Sequence, residues 1–122
     1  MKKLKSGKYY TFKVRAYKKV GKKNSNGNNI MLFSIEKPTF GSIELANVVN
    51  NLVRSTDEDV NIECCGFCTD ICLISNVLLI KTMLYDLNRV TISVLKDCCA
   101  GVTSEKHDAA LEVMKSCQIN VI

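Results

Sequence analysis

The sequence predicts an α/β protein with a parallel sheet, preceded by a short β segment. Near the amino terminus, apolar and polar side chains alternate with a period of two, which is typical of a half-buried strand. From residue 30 onward, short apolar runs alternate with stretches of helical period, an order that predicts β-α-β-α-β-α-β. We expect such a sheet to be covered on both faces and to carry its chemistry at the carboxyl ends of the strands.

The β segment is predicted from local composition. Residues 10–16 alternate apolar with polar side chains and predict one strand. Residues 18–29 are rich in Lys, Gly, Asn and Ser and predict a loop. Residues 30–35 predict a second strand, which ends before Pro38 because proline disfavours helix at the preceding residue.

The elements that follow are predicted from caps and periodicity. Ser42 is a suitable N-cap for a helix that ends near residues 54–55. The rest are, in order, a buried strand at 60–65, a helix capped by Thr69 or Asp70 and running to about residue 86, a strand at 90–95, a helix from Thr103 or Ser104 to about residue 116, and a strand at 118–122.

Composition and charge limit the function classes. With 122 residues, 47% apolar and 24% charged, the chain is long enough for one compact domain and is not disordered by composition. The net charge is +5, yet residues 1–23 hold ten basic and no acidic residues, which leaves −5 for the remainder. A basic arm could bind nucleic acid by charge alone. A solvated lysine face on an edge strand is the commoner meaning, so nucleic-acid binding is not expected.

The seven cysteines indicate thiols rather than a disulfide framework. Their number is odd and several lie in apolar runs, where cysteine behaves as a small buried hydrophobe. One Cys-x-x-Cys, Cys65 to Cys68, enters a predicted helix, which does not fit paired zinc knuckles. No apolar segment of a signal peptide follows the basic start. We therefore expect a cytoplasmic protein without a membrane partner.

Cys72 is the cysteine best placed for chemistry. It would lie in the first turn of a helix that follows a strand, where backbone N–H groups and the helix dipole favour a thiolate and an oxyanion. Lys37, at the end of an earlier strand, could add positive charge nearby. On the residues alone, a buried structural cysteine near a helix start remains the alternative.

Four sequence blocks, in order, resemble a known family. They are residues 36–42 (EKPTFGS), 65–72 (CGFCTDIC), 97–103 (DCCAGVT) and 105–111 (EKHDAAL). Residues 31–122 are similar to the C-terminal half of the cysteine hydrolases with the isochorismatase-like fold, whose best-known members are nicotinamidases. The resemblance implies part of a three-layer α/β/α fold with a parallel sheet.

The resemblance also implies roles for individual residues. Cys72 falls at the position of the nucleophile that attacks a carboxamide, and Lys37 at that of the catalytic lysine. The backbone amides of Cys68 and Cys72 match the oxyanion hole, and the bond between Phe67 and Cys68 matches a non-proline cis peptide. Phe40 and Phe67 fall in the substrate pocket.

The sequence departs from the family in its first half. No acid precedes Glu36, so no residue can take the place of the triad Asp, and the family's metal ligands also have no counterpart. We expect no metal and no other cofactor. His107, the one histidine, is expected on the surface or in a cap. The missing first strands should leave a sheet edge exposed.

These features lead to two functional hypotheses. The first is hydrolysis of a small amide through a Cys72 thioester, weak or absent without the Asp that moves the proton. The alternative is a non-catalytic, truncated remnant that exists bound to a partner or as a homo-oligomer. The substrate class of the first hypothesis is a small-molecule, nicotinamide-like amide.

Residues 4–23 carry a second resemblance, to the late strands of a bacterial fibronectin type III domain. Tyr10 would match the corner tyrosine of that sandwich. The predicted organisation is therefore a basic β segment at 1–24, a junction at 25–30 and a partial hydrolase domain at 31–122.

Overall fold

The computed structural model describes residues 12–16 and 31–122. Contacts within the chain divide it into two units, Met1–Glu36 and Lys37–Ile122. In the described residues, no helix is both long enough and apolar enough to cross a bilayer.

The first unit contains an antiparallel pair of strands. β1 (Phe12–Ala16) pairs with β2 (Met31–Ile35) in a register that places Phe12 opposite Ile35. The two predicted strands are thus confirmed over these residues. The predicted place of the second strand in the parallel sheet is wrong, because β2 forms its ladder with β1. The loop at 18–29, the junction at 25–30 and Tyr10 lie outside the described residues.

The second unit is an α/β structure, as predicted. It comprises α1 (Ile43–Arg54), β3 (Val60–Phe67), a π-helical turn (Thr69–Leu73, the π turn), α2 (Ile74–Met83), β4 (Val90–Ala100), α3 (Ser104–Ser116) and β5 (Asn120–Val121). The three strands form one parallel sheet in the order β3-β4-β5. The fold-class prediction is confirmed.

Local capping chemistry sets two helix starts where the sequence predicts them. The Ser42 hydroxyl accepts a hydrogen bond from the Leu45 amide at 3.1 Å, and Thr103 does the same for the Lys106 amide at 3.3 Å. Both caps satisfy an amide that a helix start leaves without an intrahelical partner.

One apolar core joins the helices to the sheet. Its centre is the side chain of Met114, which is fully buried together with Val77 and Val94. Further buried members are Ala46, Val49, Val53, Leu73, Ile80, Leu84, Ile92, Leu111 and Ile119. α1 packs on α2, and α3 contacts both the π turn and β5.

β3 is half-buried rather than fully buried as predicted. Residues Val60, Ile62 and Cys64 point toward the core, while Asn61 and Glu63 are exposed. The alternation continues to the end of the strand, so one face of β3 contacts the core and the other is exposed and carries Asn61, Glu63, Cys65 and Phe67. β4 (Val90–Ala100) is also longer than predicted, and its register against β3 shifts between Cys64 and Gly66.

Candidate active site

The candidate site lies where β3 ends and the π turn begins. Gly66 has φ 142°, a backbone conformation that residues other than glycine rarely adopt. The peptide bond between Phe67 and Cys68 is cis. Cys72 follows on the π turn and is half-buried. The nucleophile candidate is therefore at the carboxyl end of a parallel strand, where open α/β sheets place their ligands.

The π turn is closed by backbone bonds rather than by a side-chain cap. Cys68 precedes it in extended conformation, and its carbonyl accepts hydrogen bonds from the amides of Ile71 and Leu73, both at 3.1 Å. The prediction that Thr69 or Asp70 caps this helix is wrong. Both side chains are directed to other partners.

Thr69 and Asp70 tie the π turn to the segment that follows β4. The Thr69 hydroxyl, in a fully buried residue, is hydrogen-bonded to His107 Nδ1 at 2.8 Å. Asp70 Oδ1 accepts a bond from the Val102 amide at 2.9 Å. Gly101 fits closely between them, since a Cβ there would lie within 3.0 Å of His107 and Asp70. His107 is thus half-buried and joined to the turn, which the sequence did not predict.

The loop that carries Lys37 (residues 37–42, the Lys37 loop) reaches the same turn. Lys37 Nζ donates to the carbonyls of Phe40 at 2.7 Å and Thr39 at 3.1 Å. The amide of Asn76 donates to the Phe40 carbonyl at 3.1 Å and to the Cys72 carbonyl at 2.7 Å. The structure therefore brings the segments of Lys37 and Cys72 together through Asn76.

The two aromatic candidates are exposed. Phe40, in the Lys37 loop, is 64% exposed, and Phe67, at the end of β3, is 54% exposed. Phe40 lies within one of the two segments that meet at Asn76, and Phe67 lies just before the other. Apolar side chains with this exposure are available to cover an apolar ligand.

The thiols differ in their electrostatic environment. Burial raises the pKa of Cys64 to about 12. Burial, and then the carboxylate of Asp70, raises the pKa of Cys68, and burial also raises that of Cys99. These three thiols are held in the protonated form, which is the poor nucleophile.

The described residues do not fit a metal ion. They contain no group of three or more His, Cys, Asp or Glu side chains that could hold one. His107, the single histidine, has its Nδ1 engaged by Thr69. No step of the chemistry is assigned to a metal.

Comparison with solved structures identifies the fold. The structure is similar to that of the pyrazinamidase of Pyrococcus horikoshii in complex with zinc, with a TM-score of 0.54 and 22% sequence identity over 70% of this chain. The α/β fold of this chain is similar to part of that structure. The chain spans 44% of the pyrazinamidase's length. No protein-family model matches the sequence, and no curated protein matches it.

Three residues that the structure places at the candidate site were not predicted as site residues from the sequence. Asn76 was given no role from the sequence, Thr69 was predicted as a cap, and His107 was expected on the surface or in a cap. Their partners are 34 to 38 residues away in the chain. A polar residue in the middle of an apolar helical stretch, as at Asn76, was the one signal available.

Proposed function

We propose that the chain is a cysteine-dependent hydrolase of small amides, with Cys72 as the nucleophile and a slow turnover. The observation that carries the proposal is the hydrogen-bonded link between the Lys37 loop and the π turn of Cys72. It supports a site in which a thiol, an ammonium group and strand-end backbone amides act on one substrate carbonyl.

The reaction is an acyl transfer through a thioester. Cys72 Sγ adds to the carbonyl carbon, and the oxygen's developing charge is stabilised by the amides of Cys68 and Cys72 and by Lys37. The C–N bond then breaks, and the thiol proton ends on the departing nitrogen. Water cleaves the thioester, which releases the carboxylic acid and restores the thiol. Phe40 and Phe67 cover the ring of an aryl amide.

We expect slow turnover because residues 1–35 of this sequence offer no carboxylate to carry the proton. No Asp or Glu precedes Glu36 in the sequence, so none takes the position of the family's general base. Positioned general acid–base catalysis contributes about 10²–10⁴-fold to a rate. In the absence of that general base, water has to carry the proton from the Cys72 sulfur to the departing nitrogen.

The test is ammonia release from nicotinamide and pyrazinamide by the full chain. We expect slow release that is lost in Cys72→Ser and retained in Cys117→Ser, which removes an exposed thiol at the end of α3. No release above the buffer blank, or equal release by both variants, would contradict the proposal.

A second function, binding of a partner strand without catalysis, is favoured by a different observation. Among the described residues β3 is paired on one side alone, with β4. Unpaired strand edges bind further strands through their backbone groups. This function predicts a mass that rises with protein concentration, measured by light scattering, in a chain that releases no ammonia. A monomer at all concentrations argues against it.

A further inference from the structure

Asn76 makes three hydrogen bonds to backbone atoms of two separate segments. Its Oδ1 accepts a bond from the Ser42 amide at 2.9 Å. Its Nδ2 donates to the carbonyl of Phe40 at 3.1 Å and to that of Cys72 at 2.7 Å. Asn76 lies in the first turn of α2, four residues after Cys72. One side chain thus holds both ends of the segment 40–42 and the nucleophile's own carbonyl.

The chemistry of this junction requires a carboxamide. The three partners are one donor and two acceptors, and an Asn side chain offers one acceptor oxygen and two N–H donors. Leu has a similar shape and offers neither, while Asp offers acceptors alone and would set a carboxylate against two carbonyl oxygens. Either change leaves polar backbone groups of a partly buried loop without their partner.

The Phe40 carbonyl makes the junction relevant to Lys37. It accepts hydrogen bonds from both Lys37 Nζ and Asn76 Nδ2. Asn76 Nδ2 also donates to the Cys72 carbonyl, so three consecutive hydrogen bonds connect the ammonium group to the π turn. The Thr39 hydroxyl donates to the Gly41 carbonyl at 2.8 Å, which keeps the loop compact. The segment that Asn76 anchors therefore includes the carbonyl that accepts a hydrogen bond from Lys37 Nζ.

We propose that Asn76 is a positioning residue that sets the reactivity of Cys72 by holding the Lys37 loop against the π turn. This inference rests on the proposed function, because it assigns Asn76 to the same nucleophile. The inference goes beyond the proposed function because it names a residue that touches no reacting atom and acts through Lys37. The consequence is that Cys72 and Lys37 respond to changes at Asn76 as one unit.

The first experiment measures the rate of alkylation of every cysteine by iodoacetamide, read by mass spectrometry on the full chain at neutral pH. The variants are Asn76→Leu and Asn76→Asp, with Asn47→Leu and Asn47→Asp on the exposed face of α1 as matched controls. We expect the Cys72 rate to fall about threefold or more in both Asn76 variants, the size of a lost charge interaction near a helix start, and to be unchanged in the controls.

Two other thiols in the same molecule separate positioning from folding. Cys117 is exposed and serves as the reference for reagent and pH. Cys64 is half-buried and burial raises its pKa to about 12, so it should react much more slowly than Cys117 while the core is intact. A fall at Cys72 with Cys64 still protected supports the positioning role. Labelling of Cys64 in the Asn76 variants would overturn it, since Asn76 would then serve stability alone.

A double-variant cycle tests whether Asn76 acts through Lys37. Lys37→Ala alone should lower the Cys72 rate, and adding Asn76→Leu to it should cause no further fall. If the two substitutions lower the Cys72 alkylation rate independently, so that their fold-changes multiply in the double variant, the inference is overturned. If wild-type Cys72 reacts no faster than exposed Cys65 and Cys98, the proposed function fails and the inference falls with it. If Cys72 is selectively reactive but indifferent to Asn76, the inference alone fails.

Discussion

Replacement of Gly101 by Ala should destabilise the protein through overpacking. An added Cβ would lie 2.9 Å from both the Cβ and the backbone nitrogen of His107, and 3.0 Å from Asp70 Oδ1. Carbon atoms in favourable contact are about 3.5–4.0 Å apart. Two of the three atoms belong to the helix backbone or its Cβ, so no side-chain rotation relieves the contact. Overpacking of this kind costs about 1–3 kcal/mol.

The matched control is Gly41→Ala. There an added Cβ meets Ser75 Cβ at 3.7 Å, which is ordinary van der Waals contact. Neither glycine has φ in the left-handed region, so backbone conformation does not distinguish the two substitutions. We expect Gly41→Ala to be neutral or to stabilise by up to about 1 kcal/mol, because alanine lowers the entropy of the unfolded chain.

The assay is urea unfolding followed by far-ultraviolet circular dichroism, with thermal melting as a second measurement. For a unit of about 60–100 residues, such as Lys37–Ile122, 1 kcal/mol corresponds to about 4–8 °C in melting temperature. Gly101→Ala should therefore melt at least about 4 °C below wild type and Gly41→Ala should not. Equal urea midpoints for the two variants would refute the argument from close contact.

Three further predictions concern other hydrogen bonds and the backbone. Thr69→Val removes the hydroxyl bonded to His107 Nδ1 and should lower the free energy of unfolding by about 1–2 kcal/mol in urea titrations. Gln118 has φ 63°, a left-handed conformation that glycine adopts at lower cost, so Gln118→Gly should raise the free energy of unfolding in urea by up to about 1 kcal/mol. The Arg54 guanidinium hydrogen-bonds Asp86 and lowers the pKa of its carboxyl. Asp86→Asn should therefore lower the melting temperature at neutral pH, and this difference should disappear as pH falls through that lowered pKa, where wild type is protonated as well. A difference that persists in acid would contradict the assigned cause.

Elements governed by neighbouring residues were predictable from the sequence. The caps at Ser42 and Thr103 place two helix starts correctly, because capping depends on a side chain and an amide three residues apart. The parallel order of the last three strands also follows from the alternation of strands and helices. Both are local or nearly local properties of the chain.

Elements governed by distant partners were not predictable in the same way. β2 has the apolar character of a strand, but its pairing with β1 depends on residues 15 or more positions away in the sequence. The half-burial of β3 could have been predicted, since Asn61 and Glu63 alternate with its apolar residues.

The same distinction between neighbouring residues and distant partners applies to the candidate site. The position of Cys72 after a strand and the separate loop of Lys37 follow from sequence motifs, although their roles stay predictions. The bonds that hold these segments do not follow, because Asn76 and His107 reach partners more than 30 residues away. A polar side chain acquires such a role only when two loops approach it in the folded chain.

Two sets of bonds hold the π turn from opposite directions along the sequence. Asn76 joins it to the loop before α1, and the bonds of Thr69 and Asp70 join it to the segment after β4. All of these partners lie within the unit Lys37–Ile122, and the chain spans 44% of the pyrazinamidase's length. In the proposed function, the shape of the π turn and the supply of a general base are therefore separable properties. Selective alkylation of Cys72 together with slow ammonia release is the combination that this separation predicts.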